Sequence, residues 1–133
     1  MQPEQAEVAR WLLKARHDWS AARKVLFPDG EETDVAAFHC QQAVEKTLKA
    51  YLVSRGITFE KVHDLARLLD HCADADSQFD SLRDDVEPLT LYAIAFRYPG
   101  PADPSRQDVE SALQVVAQVW AFVAQRLDRD VIP

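Results

Sequence analysis

One stretch limits the possible folds of this chain more than any other. Residues 34–55 read DVAAFHCQQAVEKTLKAYLVSR and contain neither glycine nor proline. They are rich in residues that lose little rotamer freedom in a helix. Apolar side chains recur at three- and four-residue steps, at Ala37, Cys40, Val44, Leu48, Tyr51 and Leu52. This spacing predicts one long helix with an apolar face, and other helices must cover that face.

Four further segments have a helical pattern and can supply this cover. We expect helices over residues 3–26, 64–75, 78–96 and 105–127, with a kink or restart at Pro88 because proline removes an intrahelical bond. Thr33 or Asp34 can cap the central helix, Gly56 can end it, and Ser105 can cap the last one. No strand alternation or repeat is visible. The sequence predicts an all-α, up-and-down antiparallel bundle of about four to five helices, in a single domain over residues 1–133.

Composition excludes several classes of protein. The net charge of -7 argues against a general nucleic-acid-binding surface. No apolar run approaches the roughly 20 residues that span a bilayer, and the polar N-terminus is unlike a signal peptide, so we expect a cytoplasmic protein with no membrane partner. Cys40 and Cys72 lie on apolar helical faces, which favours buried free thiols over a disulfide. No spacing supports a metal site, and nothing points to a cofactor.

Three segments together resemble the HEPN domain family of small prokaryotic helical proteins. FHCQQAVEKTLKAYL (38–52) is similar to the family's Gln-Gln-Ala helix, VHDLARLL (62–69) to its His-x-Leu segment, and AFRYPG (95–100) to its Arg-Tyr-Pro segment. The resemblance implies a helical bundle that usually dimerises. It also implies one of two activities. Many members are metal-independent RNA endonucleases, often toxins, and others partner a minimal nucleotidyltransferase and have been proposed to bind nucleotides or its substrate.

The ribonuclease motif of the family is an Arg followed within a few residues by a His, and this chain departs from it. No His follows Arg97 anywhere, because the last one is His71. Arg67 and His71 do have a suitable spacing, but they lie on a different predicted helix, and we interpret that pair as chance. The resemblance therefore favours a binding role over a catalytic one.

Arg97 and Tyr98 are the first candidate ligand-binding residues. The guanidinium can bind a phosphate bidentately, and the tyrosine can stack on a base or donate its hydroxyl. Alternatively, Arg97 pairs with an acidic residue such as Asp103, and Tyr98 packs against the last helix. His63, where the third helix begins, can act as an acid, a base or a phosphate donor, or it can cap the helix.

The polar side of the central helix provides the remaining candidates, Gln41, Glu45, Lys46 and Lys49. They can form a polar pocket in the bundle or across a dimer, with the lysines facing a phosphate. Alternatively, they form a solvated face with contacts between residues four apart.

The predicted function is that of an accessory subunit in a two-component system of the nucleotidyltransferase or toxin–antitoxin type, binding a nucleotide or RNA phosphate near Arg97. One alternative is a divergent endoribonuclease that uses Arg97 and His63. Another is a plain dimerisation module, whose interface would include exposed apolar residues such as Trp11, Phe59 or Tyr92.

Overall fold

The computed structural model describes residues 1–61, 63–94, 99 and 102–133, and within these ranges the protein is helical with no strand. The α-helices are α1 (Pro3–Leu26), α2 (Thr33–Ser54), α3 (Leu65–Ala75), α4 (Arg83–Val86) and α5 (Arg106–Ala124). Three 3₁₀ segments accompany them, at Ser77–Leu82, Glu87–Ala93 and Arg129–Val131. The prediction of an all-α bundle is confirmed.

Helix α2 lies at the centre of the bundle. Thirteen of its 22 residues are buried, including all six predicted apolar positions, so it is covered on most sides rather than along one face. The short loop after Leu26 returns the chain antiparallel to α1, while α5, α3 and the segment Glu87–Ala93 cover other sides. Small side chains let α1 and α2 approach closely, namely Ala15 and Ala22 on α1 and Ala36, Ala43 and Ala50 on α2.

Two predicted helix ends are confirmed and one is wrong. Gly56 follows α2 with φ of 68°, the left-handed conformation that favours glycine. Ser105 caps α5 and exchanges hydrogen bonds with Asp108 in a capping box. The N-cap of α2, however, is Glu32 rather than Thr33 or Asp34, because the helix begins one residue earlier than expected and Thr33 is already its first helical residue.

The predicted fourth helix over 78–96 is wrong as a single helix. Of the residues that the structure describes in this range, only the four of α4 are α-helical, and 3₁₀ segments lie on both sides of α4. Pro88 lies in the first turn of the second 3₁₀ segment, where its missing N–H needs no acceptor. The expected restart therefore occurs there, and residues 95 and 96 lie outside the described residues.

Both cysteines are buried free thiols, as predicted. Burial raises the pKa of Cys40 and of Cys72 to about 12, because the surrounding apolar side chains disfavour a thiolate.

In the described part of the chain, no helix combines the length and the apolar character that crossing a membrane requires.

Candidate functional site

The polar residues Gln41, Glu45 and Lys49 form a row along three successive turns of α2, and this row is buried. Their exposed fractions are 0%, 2% and 7%. The expectation of a solvated face is therefore wrong for these three residues, but the expected contacts between residues four apart are present. The row is covered by α1 and by the connector between α2 and α3, neither of which the helical pattern of α2 could reveal.

The carboxylate of Glu45 is the centre of this row. Its Oε1 accepts hydrogen bonds from His63 Nδ1 at 2.8 Å and from Gln41 Nε2 at 3.2 Å. Its Oε2 accepts from Lys49 Nζ at 3.0 Å in an ion pair between residues four apart. A buried carboxylate is tolerated only with such partners, and here both oxygens have them.

The ammonium of Lys49 contacts other side chains of the bundle. Its ammonium lies 5.5 Å from the centroid of the Trp11 ring on α1 and 5.6 Å from that of Phe59 in the connector. The two rings meet edge to face, with centroids 6.3 Å apart. Two aromatic faces and Glu45 thus compensate the charge of this lysine. Trp11 and Phe59 are half-buried in this contact. They are therefore not the exposed apolar residues that were expected at the interface of a dimerisation module.

His63 is the exposed member of the cluster, and the buried carboxylate of Glu45 orients its imidazole. Its side chain is 56% exposed, although its partner Glu45 is 3% exposed. The Gln41 amide donates to the backbone carbonyl of His63 at 3.1 Å, which fixes the main chain as well. Because a carboxylate only accepts hydrogen bonds, Nδ1 must carry the proton, and Nε2 has no hydrogen-bond partner among the described residues. The capping alternative for His63 is wrong, since the Asp64 side chain caps α3 instead.

Lys46 belongs to a different cluster, between α1 and α2. Its Nζ lies 2.6 Å from Asp18 Oδ2, and His39 Nδ1 lies 2.8 Å from Asp18 Oδ1. Lys46 therefore has a different carboxylate partner from Lys49, since Lys46 pairs with Asp18 and Lys49 with Glu45. Sequence reasoning missed Asp18. The available signal was its position three residues after buried Ala15 and four before buried Ala22, on the inward face of α1.

Arg97 and Tyr98 lie outside the described residues. The segment that leads to them is attached to the neighbourhood of His63, because the backbone N–H of Leu65 donates to Thr90 Oγ1 at 3.1 Å. Tyr92 in that segment is half-buried, so it is not an exposed apolar residue of the kind expected at the interface of a dimerisation module.

Arg67 and His71 share one carboxylate on the surface. Arg67 Nη2 lies 2.6 Å from Glu60 Oε1, and His71 Nε2 lies 3.2 Å from Glu60 Oε2. The hydrogen bond from Arg67, together with further hydrogen bonds, lowers the pKa of Glu60 to about 2. This arrangement explains the Arg67–His71 spacing as a surface ion-pair cluster.

The described residues contain no group of three or more His, Cys, Asp or Glu side chains that could hold a metal ion. The α2 cluster presents an imidazole that a buried carboxylate orients. It can donate a hydrogen bond from Nε2 when protonated, or accept a proton there when neutral.

Comparisons with known proteins agree with this architecture. The family model of the HEPN domain matches residues 8–127. The crystal structure of TT1696 from Thermus thermophilus is similar, with 30% identity, a TM-score of 0.76, and coverage of 92% of this chain and 99% of that chain. The structure of ST0689, an archaeal HEPN homologue, has 18% identity and a TM-score of 0.66, covering 91% and 98%. No curated protein matches significantly. The chain belongs to the HEPN domain family.

Proposed function

We propose that this protein is a non-catalytic accessory subunit that binds the phosphate of a nucleotide or RNA. In this proposal it acts as a homodimer beside a minimal nucleotidyltransferase, in a two-component system of the toxin–antitoxin type. The observation that carries the proposal is the imidazole of His63, which is more than half exposed but anchored through Nδ1 to a buried carboxylate.

We assign two roles to the predicted ligand residues that lie in the α2 cluster, and the described contacts support this assignment. His63 has its Nε2 available and can contact a phosphate oxygen directly. Gln41, Glu45 and Lys49 satisfy one another inside the bundle, so they act as positioning residues that hold the imidazole. When it carries a proton, Nε2 can donate a charge-assisted hydrogen bond to a phosphate oxygen.

Arg97 and Tyr98 complete the proposed site. A guanidinium can hold two phosphate oxygens at once, and a tyrosine ring can stack on a base. The support from the described residues is the Leu65–Thr90 hydrogen bond, which attaches the segment before Arg97 to the chain just after His63. The support for a non-catalytic role is that the six residues after Arg97 contain no His, so the chain departs from the family's ribonuclease motif at the expected position.

The experiment compares binding of ATP and of a short single-stranded RNA by calorimetry in four proteins. These are the wild type, Arg97→Ala, His63→Ala and the control His71→Ala, whose imidazole lies in the separate Glu60 cluster. Loss of one charge-assisted hydrogen bond should weaken binding about tenfold in the first two variants, with little change in melting temperature. The control should bind like the wild type. Unchanged binding in both test variants, or lost stability with binding intact, would mean that these residues are structural.

The proposed partner is tested separately. A small nucleotidyltransferase encoded in the neighbouring reading frame should co-purify with this protein after co-expression, and gel filtration of this protein alone should give a dimer. A monomer that does not co-purify with the neighbouring gene product would refute the accessory role. Ligand binding is then decided separately by the calorimetry.

The contact between Glu45 and His63 favours a second candidate function, metal-independent cleavage of RNA. A carboxylate that orients an imidazole is an arrangement suited to a general base, which could deprotonate a 2′-hydroxyl while Arg97 binds the phosphate. Incubation of the protein with RNA in EDTA distinguishes the two functions. Cleavage that disappears in His63→Ala and persists in His71→Ala would establish the enzyme and overturn the non-catalytic role.

A further inference from the structure

We propose that a groove between the end of α1 and the first half of α5 binds an amphipathic organic anion. This ligand is a small molecule with an apolar or aromatic body and one carboxylate, sulfonate or phosphate head. The groove has a volume of about 470 Å³ and is lined by Arg23, Lys24, Leu26, Phe27, Arg106 and Leu113. None of these residues belongs to the His63 cluster, so the inference is independent of the proposed phosphate site.

The walls of the groove suit an apolar body. Ligand pockets typically measure about 300–1,000 Å³ and are lined mainly by apolar side chains with a few placed polar groups. Leu26 is buried and Leu113 half-buried. Phe27, in contrast, is 77% exposed, the highest exposure among the large apolar side chains of the described residues. This exposed ring offers a face on which an aromatic body can stack.

The rim of the groove suits an anionic head. Arg23 and Lys24 form no ion pair with any carboxylate, and every Asp and Glu of the chain is among the described residues. Arg106 is held in place because its Nη2 donates to the Pro28 carbonyl at 2.9 Å and its Nε lies 3.3 Å from Glu110 Oε1. Three cationic side chains therefore line the groove, in a chain whose net charge is -7, and the guanidinium of Arg23 also lies 5.3 Å from the centroid of the Trp19 ring.

The surroundings favour a small ligand over a nucleic acid or an acidic peptide. The loop after the groove carries Asp29, Glu31 and Glu32, none of which pairs with the three cations. An extended polyanion would be repelled by these carboxylates and by the net charge of the chain. A compact anion of drug-like size would contact the cations without crossing the acidic loop.

The probe is 8-anilinonaphthalene-1-sulfonate, whose fluorescence rises in an apolar site. Its aromatic body and sulfonate head match both parts of the groove. Titrations compare the wild type with Phe27→Ala, with Arg23→Glu/Lys24→Glu, and with the control Arg16→Glu/Arg129→Glu, which makes the same charge change at exposed positions outside the lining of the groove. Circular dichroism and the melting temperature check that every variant is folded.

We expect the dissociation constant of the probe to rise at least fivefold in Phe27→Ala and in Arg23→Glu/Lys24→Glu, and less than twofold in the control. Decanoate should displace the probe, whereas inorganic sulfate or an acidic peptide at equal concentration should not. Amide NMR shifts should cluster at residues 23–27 and 106–113. Equal weakening in both double variants, shifts elsewhere, or displacement by the acidic peptide alone would overturn the inference.

Discussion

Replacing Glu45 by Gln tests whether the buried row on α2 is held together by charge. The substitution keeps the side-chain shape, so it makes no cavity. It removes the negative charge from the ion pair with Lys49, whose side chain is only 9% exposed. The amide oxygen can still accept from His63, but no anion then compensates the ammonium.

The expected loss follows from this burial. Breaking a buried ion pair by removing one partner costs about 3–5 kcal/mol of folding free energy, because a charge remains buried without its counter-ion. With an unfolding entropy of about 2.1 cal/mol/K per residue over 133 residues, each 1 kcal/mol corresponds to roughly 3.5 °C. The melting temperature of Glu45→Gln should therefore fall by about 10–18 °C at pH 7.

The assay is thermal unfolding followed by circular dichroism, supported by urea unfolding. The matched control is Glu60→Gln, the same isosteric change at a carboxylate that, like Glu45, pairs with one cation and one histidine but is 46% exposed. Water and salt screen that cluster, so its shift should be much smaller.

The double variant Glu45→Gln/Lys49→Met tests whether the loss of stability in Glu45→Gln comes from the Lys49 ammonium that remains without its counter-ion. Methionine removes the ammonium but keeps an apolar side chain between Trp11 and Phe59. The double variant should be more stable than Glu45→Gln alone. A shift in Glu45→Gln no larger than that in Glu60→Gln, or a double variant less stable than the single one, would refute the reasoning.

Three further predictions concern other parts of the molecule. Gly30→Ala should destabilise the protein more than Gly56→Ala in urea unfolding, because a Cβ at Gly30 would lie 1.7 Å from a backbone oxygen whereas at Gly56 only the positive φ is strained, at about 1–2 kcal/mol. Cys40 and Cys72 should fail to react with Ellman's reagent in the native protein at pH 8 and should both react in guanidinium, since burial holds each thiol pKa at about 12. The pKa of Glu60 is lowered in the folded state, so its contribution is present above its ordinary value of 4.5 and is lost as the pH falls toward about 2. The difference in melting temperature between wild type and Glu60→Gln should therefore shrink across that range, and a constant or growing difference would contradict it.

Periodicity predicted the apolar part of this fold and missed the buried polar part. Val44 and Leu48 could be assigned to the core because apolar spacing along a helix directly reflects burial. Glu45 and Lys49 could not, because charged residues on a helix are ordinarily solvated. What buries them is a connector with no regular pattern, together with Trp11 from α1.

Because apolar periodicity reports burial and not the type of helix, it also led to the error in the fourth predicted helix. Apolar residues such as Leu82, Val86 and Leu89 have helical spacing and are indeed buried. Short 3₁₀ segments place side chains at similar intervals, so the pattern cannot distinguish them from a continuous α-helix. Asp18 was missed for a related reason, since its partners His39 and Lys46 come from another helix.

The central claim is that buried Glu45 orients the imidazole of His63 through Nδ1. Two-bond ¹H–¹⁵N NMR of the histidine side chains tests it most directly, with His63→Ala used to assign the signals. At a pH where the ring is neutral, we expect Nδ1 to carry the proton and Nε2 to lack it, and we expect Glu45→Gln to weaken this preference. A neutral His63 with its proton on Nε2 would contradict the claim.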